Sequence, residues 1–517
     1  MKLRLLIFIT YFSLVSTNVI IAQENKEILG QIINEVTQEG VVYATVSIKG
    51  KDKGVVADED GYFRLPYIYK ASNDVLIISS IGYATLEIEV NTLEDNIVNI
   101  IGLESKTESL DNVVIQGSKK KKEFIPARKI VDRAIKKIND NYPKIPHSYI
   151  AYYRDYQILN KKFFNLNEGI MEVFDAGFHT NALLYKDNQT VLCDFKSNLE
   201  FPRDSLLAIA YSEKGQKFIK GATIGGSGGN ELSILNIHNV IRNYAKQSFS
   251  FIDVFKQNFL LNHEFRLSKK LYLNDEPIYE IKFFAKEKVT GVKNTADGII
   301  YINYNTFAIH KLEYYGYEAN DLSPFYSVKI EYKPKGDKMY LNYISFNNRF
   351  DVKSEDNFKI DDVTFDKSEN AFFVTFNNKL NKKTIENKKN FRFIYKKKKL
   401  KINKITATKD NIVKITLVKG TLKNGGDFDE DSMKDLTYKI KRVQDAVGRK
   451  LGKVTYVKAN QYRELFVQEV FESKQRPSTE HVVFVNKRDV LSESIINENF
   501  TDASAYWINT PLKSTKD

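Results

Sequence analysis

The stretch GVVADEDGYFRL, Gly54 to Leu65, sets two aspartates, a glutamate and a glycine between two short apolar runs. It admits two readings. A calcium loop of the EF-hand kind needs oxygen ligands at positions 1, 3, 5, 7, 9 and 12 with glycine at 6. Counted from Asp58, the fifth position is Tyr62 and the twelfth is Tyr69, so the ligands run out after two. A turn explains more. Aspartate at the start of a turn bonds its own backbone, Gly61 accepts a positive φ, and Tyr62-Phe63-Arg64-Leu65 resumes a strand.

The text around this turn is a series of short strands, each closed by a turn signal, as a sandwich of under about 100 residues requires. From ILGQIINEVTQEGVVYATVSIKG through ADEDGYF to Ile81-Gly82-Tyr83, the segment resembles the carboxypeptidase-like regulatory domain, a small transthyretin-like β-sandwich common in secreted proteins. That resemblance implies a sandwich over residues 23–105. It implies no catalysis, because in carboxypeptidases this module is accessory.

The first residues, MKLRLLIFITYFSLVSTNVIIAQ, pair Lys2 and Arg4 with an apolar run and place a small residue, Ala22, at a plausible cleavage point. They predict a secretory signal peptide over 1–22 and export through the Sec pathway to the periplasm or the cell surface. Ser13, Ser16, Thr17 and Asn18 interrupt the run, so no membrane span is expected in the mature chain. With Cys193 as its one cysteine, the chain holds its fold without an internal disulfide, and Cys193 is expected to be a small core residue. Abundant Tyr and Phe with few prolines predict a mainly β protein with a few helices.

LDNVVIQG, at 110–117, resembles the strand that precedes the plug in TonB-dependent outer-membrane receptors, although the remaining chain is too short for their barrel. Residues 106–126, with Lys119 to Lys122, are expected to be a basic linker. Pro126 then suits a first helical turn, and Ile130, Val131, Ala134, Ile135 and Ile138 share one face. Strands follow in HSYIAYYRDYQI, KFFNLNEGIMEVFDA and NQTVLCDF, with helix expected between Ser233 and Leu261 and a hairpin turning on Asn274 to Pro277. This β-rich antiparallel body, 127–358 and 459–517, resembles a family of exported Gram-negative proteins in which such a body follows a regulatory domain. It has a weaker likeness to the half-barrel of periplasmic lipoprotein carriers.

Residues 359–458 resemble a bacterial Ig-like domain of the surface-layer type. Val374-Thr375-Phe376 with Asn381 and Thr384 matches its opening, and Tyr438-Lys439-Ile440 with Asp445-Ala446-Val447-Gly448 matches its closing strand and turn. Body-like strands stand on both sides, MYLNYISFNNRFDV before and YRELFVQEVFES after, so an insertion between neighbouring strands is expected. Between Asp351 and Lys458 there are 27 Lys and Arg against 15 Asp and Glu, a net of +12 of the chain's +13. An anionic glycan, lipid or acidic partner is the contact this predicts.

Motifs for catalysis are sparse. His310 and Glu313 have the His-x-x-Glu spacing of a zinc pair, but on a strand positions three apart face opposite ways, and His310 reads as a surface or edge residue. GATIGGSGGN, 221–230, lacks the Gly-Lys-Ser/Thr ending of a P-loop. Glu168, Glu172 and Asp175 could pair as glycosidase carboxylates but read as a solvated strand edge. Asp427, Asp429, Asp431 and Asp435 fit four positions of a calcium loop, with Ser432 where glycine belongs and Tyr438 where a bidentate Glu belongs. No catalytic, cofactor-binding or metal-ligating set is assigned. The expectation is a non-enzymatic, secreted cell-envelope binding or structural protein, associated with outer-membrane receptors or surface glycans and not with nucleic acid. The alternatives are a glycan hydrolase and a lipid or lipoprotein carrier.

Overall fold

A computed structural model describes residues 27–108, 125–209, 211, 217–219, 230–247, 251–353, 358–422, 431–454, 456–480 and 482–512. The expected leader and most of the expected linker lie outside them. The chain is mainly β.

The first unit is a sandwich of a three-stranded sheet (Tyr62–Pro66, Glu27–Asn34, Val98–Leu103) and a four-stranded one (Gly54–Val56, Thr45–Ile48, Val75–Ser79, Leu86–Glu89). The 58–61 stretch is a turn. Asp58 Oδ1 accepts from the N–H groups of Asp60 (3.0 Å) and Tyr62 (2.8 Å), and Gly61 has φ +80°. Its core of Ile28, Val46, Phe63, Leu76 and Ile78 is completed by Trp507, which arrives from the far end of the chain.

The body is one large sheet. From one edge its main strands run Gln189–Ser197, Lys162–Asp175, His147–Leu159, Tyr456–Glu472, Lys338–Lys353, Tyr326–Lys335, Ile309–Glu318, Asn294–Asn303, Glu276–Ala285, His263–Leu273 and Thr107–Glu108, each antiparallel to its neighbour. The Thr107–Glu108 strand shows that the expected linker begins inside the sheet, paired to Lys270 and Leu271. Two of these strands break the sequential meander, Tyr456–Glu472 between His147–Leu159 and Lys338–Lys353, and Thr107–Glu108 at the edge beside His263–Leu273.

One sheet face is covered by helices. Ala127–Lys136 begins after Pro126 and buries Ile130, Val131, Ala134 and Ile135, the apolar face its spacing predicts. The helix expected between Ser233 and Leu261 is two short ones, Glu231–Ile237 and Phe255–Asn262. Between them Asn239 Oδ1 accepts from the Arg242 N–H and Asn243 Nδ2 donates to the Asn236 carbonyl, local bonds that compete with a continuous helix. The opposite face is covered around Ile150, Tyr152, Ile170 and Phe466 by Tyr43 and Val56 of the sandwich and by Val482 and Tyr506 of the C-terminal segment.

Residues 358–422 and 431–454 fold around a core of their own, Phe358, Phe372, Phe376, Phe393, Val413 and Ile415 among it. Their sheets are Ile360–Asp366, Ala371–Phe376, Ile412–Leu417 and Ile402–Lys409, and Lys398–Lys399, Phe391–Tyr395 and Leu436–Ile440. The strands on either side of this unit are neighbours in the body sheet, with Lys353 opposite Tyr456.

Candidate functional site

Glu168 and Glu172 are not at a solvated edge, which corrects the sequence expectation: both have 0% exposure. They lie on the Lys162–Asp175 strand opposite Arg154 and Ile150 of the next strand, beneath the C-terminal segment. Glu168 accepts from Tyr152 Oη (2.8 Å), Asn198 Nδ2 (2.9 Å) and Thr510 Oγ1 (2.8 Å). Glu172 accepts from Ser148 Oγ (2.6 Å) and pairs with Lys474 (2.7 Å). Two strands further on, Glu464 takes Arg154 Nε at 2.5 Å and the hydroxyls of Tyr156 (3.1 Å) and Tyr343 (2.7 Å). These carboxylates serve as hydrogen-bond acceptors in the seam between sheet and cover, and Glu172 Oε2 alone among their oxygens is buried with no hydrogen-bond partner.

The sandwich enters the same seam. Tyr43 stacks on Tyr343 with ring centroids 4.5 Å apart, and its hydroxyl accepts from Lys329 (2.8 Å). Asn342 Nδ2 donates to Thr45 Oγ1 at 3.1 Å, and Arg64 Nε reaches the Thr510 carbonyl at 2.9 Å.

Asp175, the third candidate, is half-buried on the helical side. Burial pushes its carboxyl up, but Arg242, His147 and the Gly177 N–H together hold it below the ordinary carboxylate value. Arg242 Nη2 reaches Asp175 Oδ1 (2.9 Å) and Thr180 Oγ1 (3.0 Å).

His310 is a second correction. It is 5% exposed and sits where the pairing of Ile309–Glu318 with Asn294–Asn303 slips by a residue, so the strand carries the break that the sequence does not signal. Glu313 nonetheless bonds Lys311 (2.9 Å) and Tyr315 (2.9 Å). Among the described residues no three of His, Cys, Asp and Glu gather as metal ligands. His238 stacks on Phe346 at 3.5 Å, and His263 lies between the Phe259 carbonyl (2.9 Å) and Tyr314 Oη (3.0 Å). A carbonyl only accepts, so His263 Nδ1 carries the proton.

Burial holds the imidazoles of His263 and His310 down to about 4 and that of His238 down to about 3. A histidine depressed in the folded state binds its proton more readily when unfolded, so the stability it contributes is complete above about pH 6.5 and is lost as pH falls toward 4. Between pH 7 and 5 the loss of stability in His310→Gln should be smaller than in the parent by about 2 kcal/mol, read from urea midpoints at the two pH values. Equal losses would refute a buried neutral His310. Cys193 is buried, and burial pushes its thiol up to about 11, so it is a poor nucleophile at neutral pH.

The basic unit at 358–454 presents a different surface. Arg392 and Lys439 are exposed and directly opposite each other on paired strands, an unfavourable arrangement of like charges. The adjoining hairpin turns through Lys396 (φ 44°) and Lys397 (φ 64°), left-handed positions where Asn-Gly is preferred. Lys398 and Lys399 continue from it. Two cations elsewhere in the unit are ion-paired, Lys379 with Asp410 and Lys414 with Glu369. Arg392, Lys398, Lys399 and Lys439 take part in no ion pair among the described residues. Asp445 closes the Asp445–Gly448 turn by accepting from the Val447 and Arg449 N–H groups, and Arg449 reaches Asp204 of the body at 3.1 Å. Asp427 and Asp429 lie outside the described residues, as does the glycine-rich loop up to Asn230, whose Oδ1 caps the next helix through the Ser233 N–H (2.7 Å).

Residues 28–115 match the CarboxypepD_reg-like domain. The chain is 36% identical over 86 residues to the TonB-dependent receptor SusC of Bacteroides thetaiotaomicron, a match spanning 17% of this chain and 8% of the receptor. Among solved structures, a LolA superfamily protein from Nitrosomonas europaea aligns at 10% identity and a TM-score of 0.18, over 44% of this chain and 86% of that one. An outer membrane lipoprotein-sorting protein domain from Vibrio parahaemolyticus aligns at 10% identity and a TM-score of 0.20, over 43% and 86%. Scores this low carry no argument about the body. No helix among the described residues is long and apolar enough to cross a membrane, which says nothing of spanning by strands.

Proposed function

We propose that the chain is a non-enzymatic binding protein of the cell envelope, in which the sandwich and body form a frame and residues 354–455 are an inserted, Ig-like basic module that holds an anionic glycan or lipid surface. The observation that carries this reading is the opposed pair Arg392 and Lys439 beside a hairpin turned on two left-handed lysines. Unpaired like charges on adjacent strands cost stability, and an anion relieves that cost. The similarity of residues 28–115 to a regulatory-like domain and to part of a TonB-dependent receptor supports placement in the periplasm or at the outer membrane, with an envelope protein as partner. Burial of Glu168 and Glu172 under the C-terminal segment leaves no open pair of carboxylates there for glycan hydrolysis. A lipid carrier needs an apolar hollow on the helical face, and that face is filled by side chains such as Val131, Phe259, Ile300 and Val328.

Because Lys353 and Tyr456 are sheet neighbours, replacing 354–455 by a short loop should leave the body folded, with its far-ultraviolet circular dichroism and a cooperative melt, while retention on a sulfated support is largely lost. In the full chain, Arg392→Glu with Lys439→Glu should weaken binding to vesicles containing anionic lipid or to heparin by at least about tenfold, at about 1 kcal/mol per charge. Unchanged retention would refute the anionic contact. An unfolded body after excision would refute the insertion.

A further inference from the structure

On the helical side of the body a groove of about 580 Å³ opens between the loop at 181–189, the segment at 237–247 and the C-terminal residues 485–488. Lys186, Lys246, Lys487 and Arg488 line it, and no aspartate or glutamate does. Lys487 is tied to the carbonyls of Ala182 (3.5 Å) and Leu183 (2.8 Å). Lys186, Lys246 and Arg488 are exposed and have no ion pair among the described residues. Three free cations around one concavity repel one another unless an anion sits between them.

The groove adjoins a smaller cavity of about 70 Å³, the two sharing Leu183, Gln189, Val485 and Lys487 in their linings. Arg242 lines that cavity. Its Nη2 is spent on Asp175 and Thr180, but its Nη1 is buried without any acceptor. A buried, unused N–H of a guanidinium is costly, and it marks a place where an acceptor belongs. The remaining lining is not that of a bare phosphate site. Asn243 donates to the Asn236 carbonyl, leaving its Oδ1 to accept from a hydroxyl, Gln247 is exposed, and Tyr185 is 43% exposed at the lip. The volume is that of a ligand pocket, not of a single ion.

We propose that this groove is a binding site for an acidic sugar. Lys186, Lys246 and Arg488 hold its carboxylate or phosphate groups, the amides of Asn243 and Gln247 meet its hydroxyls, Tyr185 covers a ring face, and Arg242 offers the innermost donor. The site is separate from the basic unit at 358–454, and its test separates the two.

Calorimetric titration of the full chain with trigalacturonate, maltotriose and pyrophosphate tests the acid, the sugar and the charge in turn. Trigalacturonate should bind, maltotriose should not, and pyrophosphate should bind at least about tenfold more weakly than trigalacturonate, since it cannot use the amides. Lys246→Glu with Arg488→Glu, exposed positions whose change leaves the melt in place, should weaken trigalacturonate at least about tenfold, while Arg392→Glu with Lys439→Glu should not alter it. Absence of trigalacturonate binding up to about 10 mM, a range covering even weak sites, would overturn the proposal. So would pyrophosphate binding as tightly, or loss of binding only in the Arg392 and Lys439 variant.

Discussion

Glu464→Ala is expected to cost about 3–5 kcal/mol of unfolding free energy, since it strands a buried guanidinium. Arg154 is 2% exposed, its Nε is held by Glu464 at 2.5 Å, and its Nη1 reaches the Asn509 carbonyl at 2.7 Å. With the carboxylate gone, the charge keeps one carbonyl and the faces of Tyr156 and Phe466, and the Tyr343 hydroxyl loses its acceptor. Taking out both partners is a different matter. Arg154→Met with Glu464→Leu fills similar volume without charge and should recover most of the loss. Urea unfolding of the two variants and the parent measures this. A loss below about 1 kcal/mol in Glu464→Ala, the range of exposed pairs, would mean the pair is solvated.

Trp507→Ala should lower stability by a similar amount, about 3–5 kcal/mol, for the cavity it leaves. The side chain is 1% exposed in the core of the sandwich, with its ring 5.3 Å from that of Tyr69. Its backbone is clamped to the body, the N–H donating to Gln468 Oε1 and the carbonyl accepting from Gln468 Nε2, both at 2.7 Å. One residue therefore ties the C-terminal segment to the sandwich and, through Gln468, to the central strand of the sheet. Thermal unfolding should shift down, and limited proteolysis should release the sandwich before the body is cut. Gln468→Ala keeps the indole but removes the clamp, and the fluorescence of this single tryptophan should then move toward its solvated value. An unchanged melt in Trp507→Ala would show that the C-terminal segment does not complete the core.

Local chemistry was legible in the sequence where it was self-contained. The Asp58–Gly61 turn needs only a carboxylate, its own backbone and one glycine, and the Ala127–Lys136 helix needs only a proline and a repeated apolar face. The carboxylates were misplaced because their partners are remote: Glu168 meets Thr510, and Glu464 meets Arg154, across more than 300 residues. A signal existed. HSYIAYYRDYQI has aromatic side chains at both odd and even positions, the mark of a strand covered on both faces, and charges on its neighbours must then be buried. The bulge at His310 has no such mark, since no glycine or proline accompanies it. Nor does the groove at Lys186, Lys246 and Arg488, whose residues come from three distant segments that only the tertiary fold brings together.

The Tyr456–Glu472 strand lies between His147–Leu159 and Lys338–Lys353, bonded to both. During synthesis this dictates an order of events. His147–Leu159 emerges with one hydrogen-bonding edge open and must wait some 300 residues for its neighbour, and until then no long strand bonds it to Lys338–Lys353. Such non-local pairing is slow and leaves sticky edges exposed in the nascent chain. The body's sheet is complete only once this last long strand is made. Truncation anywhere before residue 456 should yield an aggregating product rather than a smaller folded one.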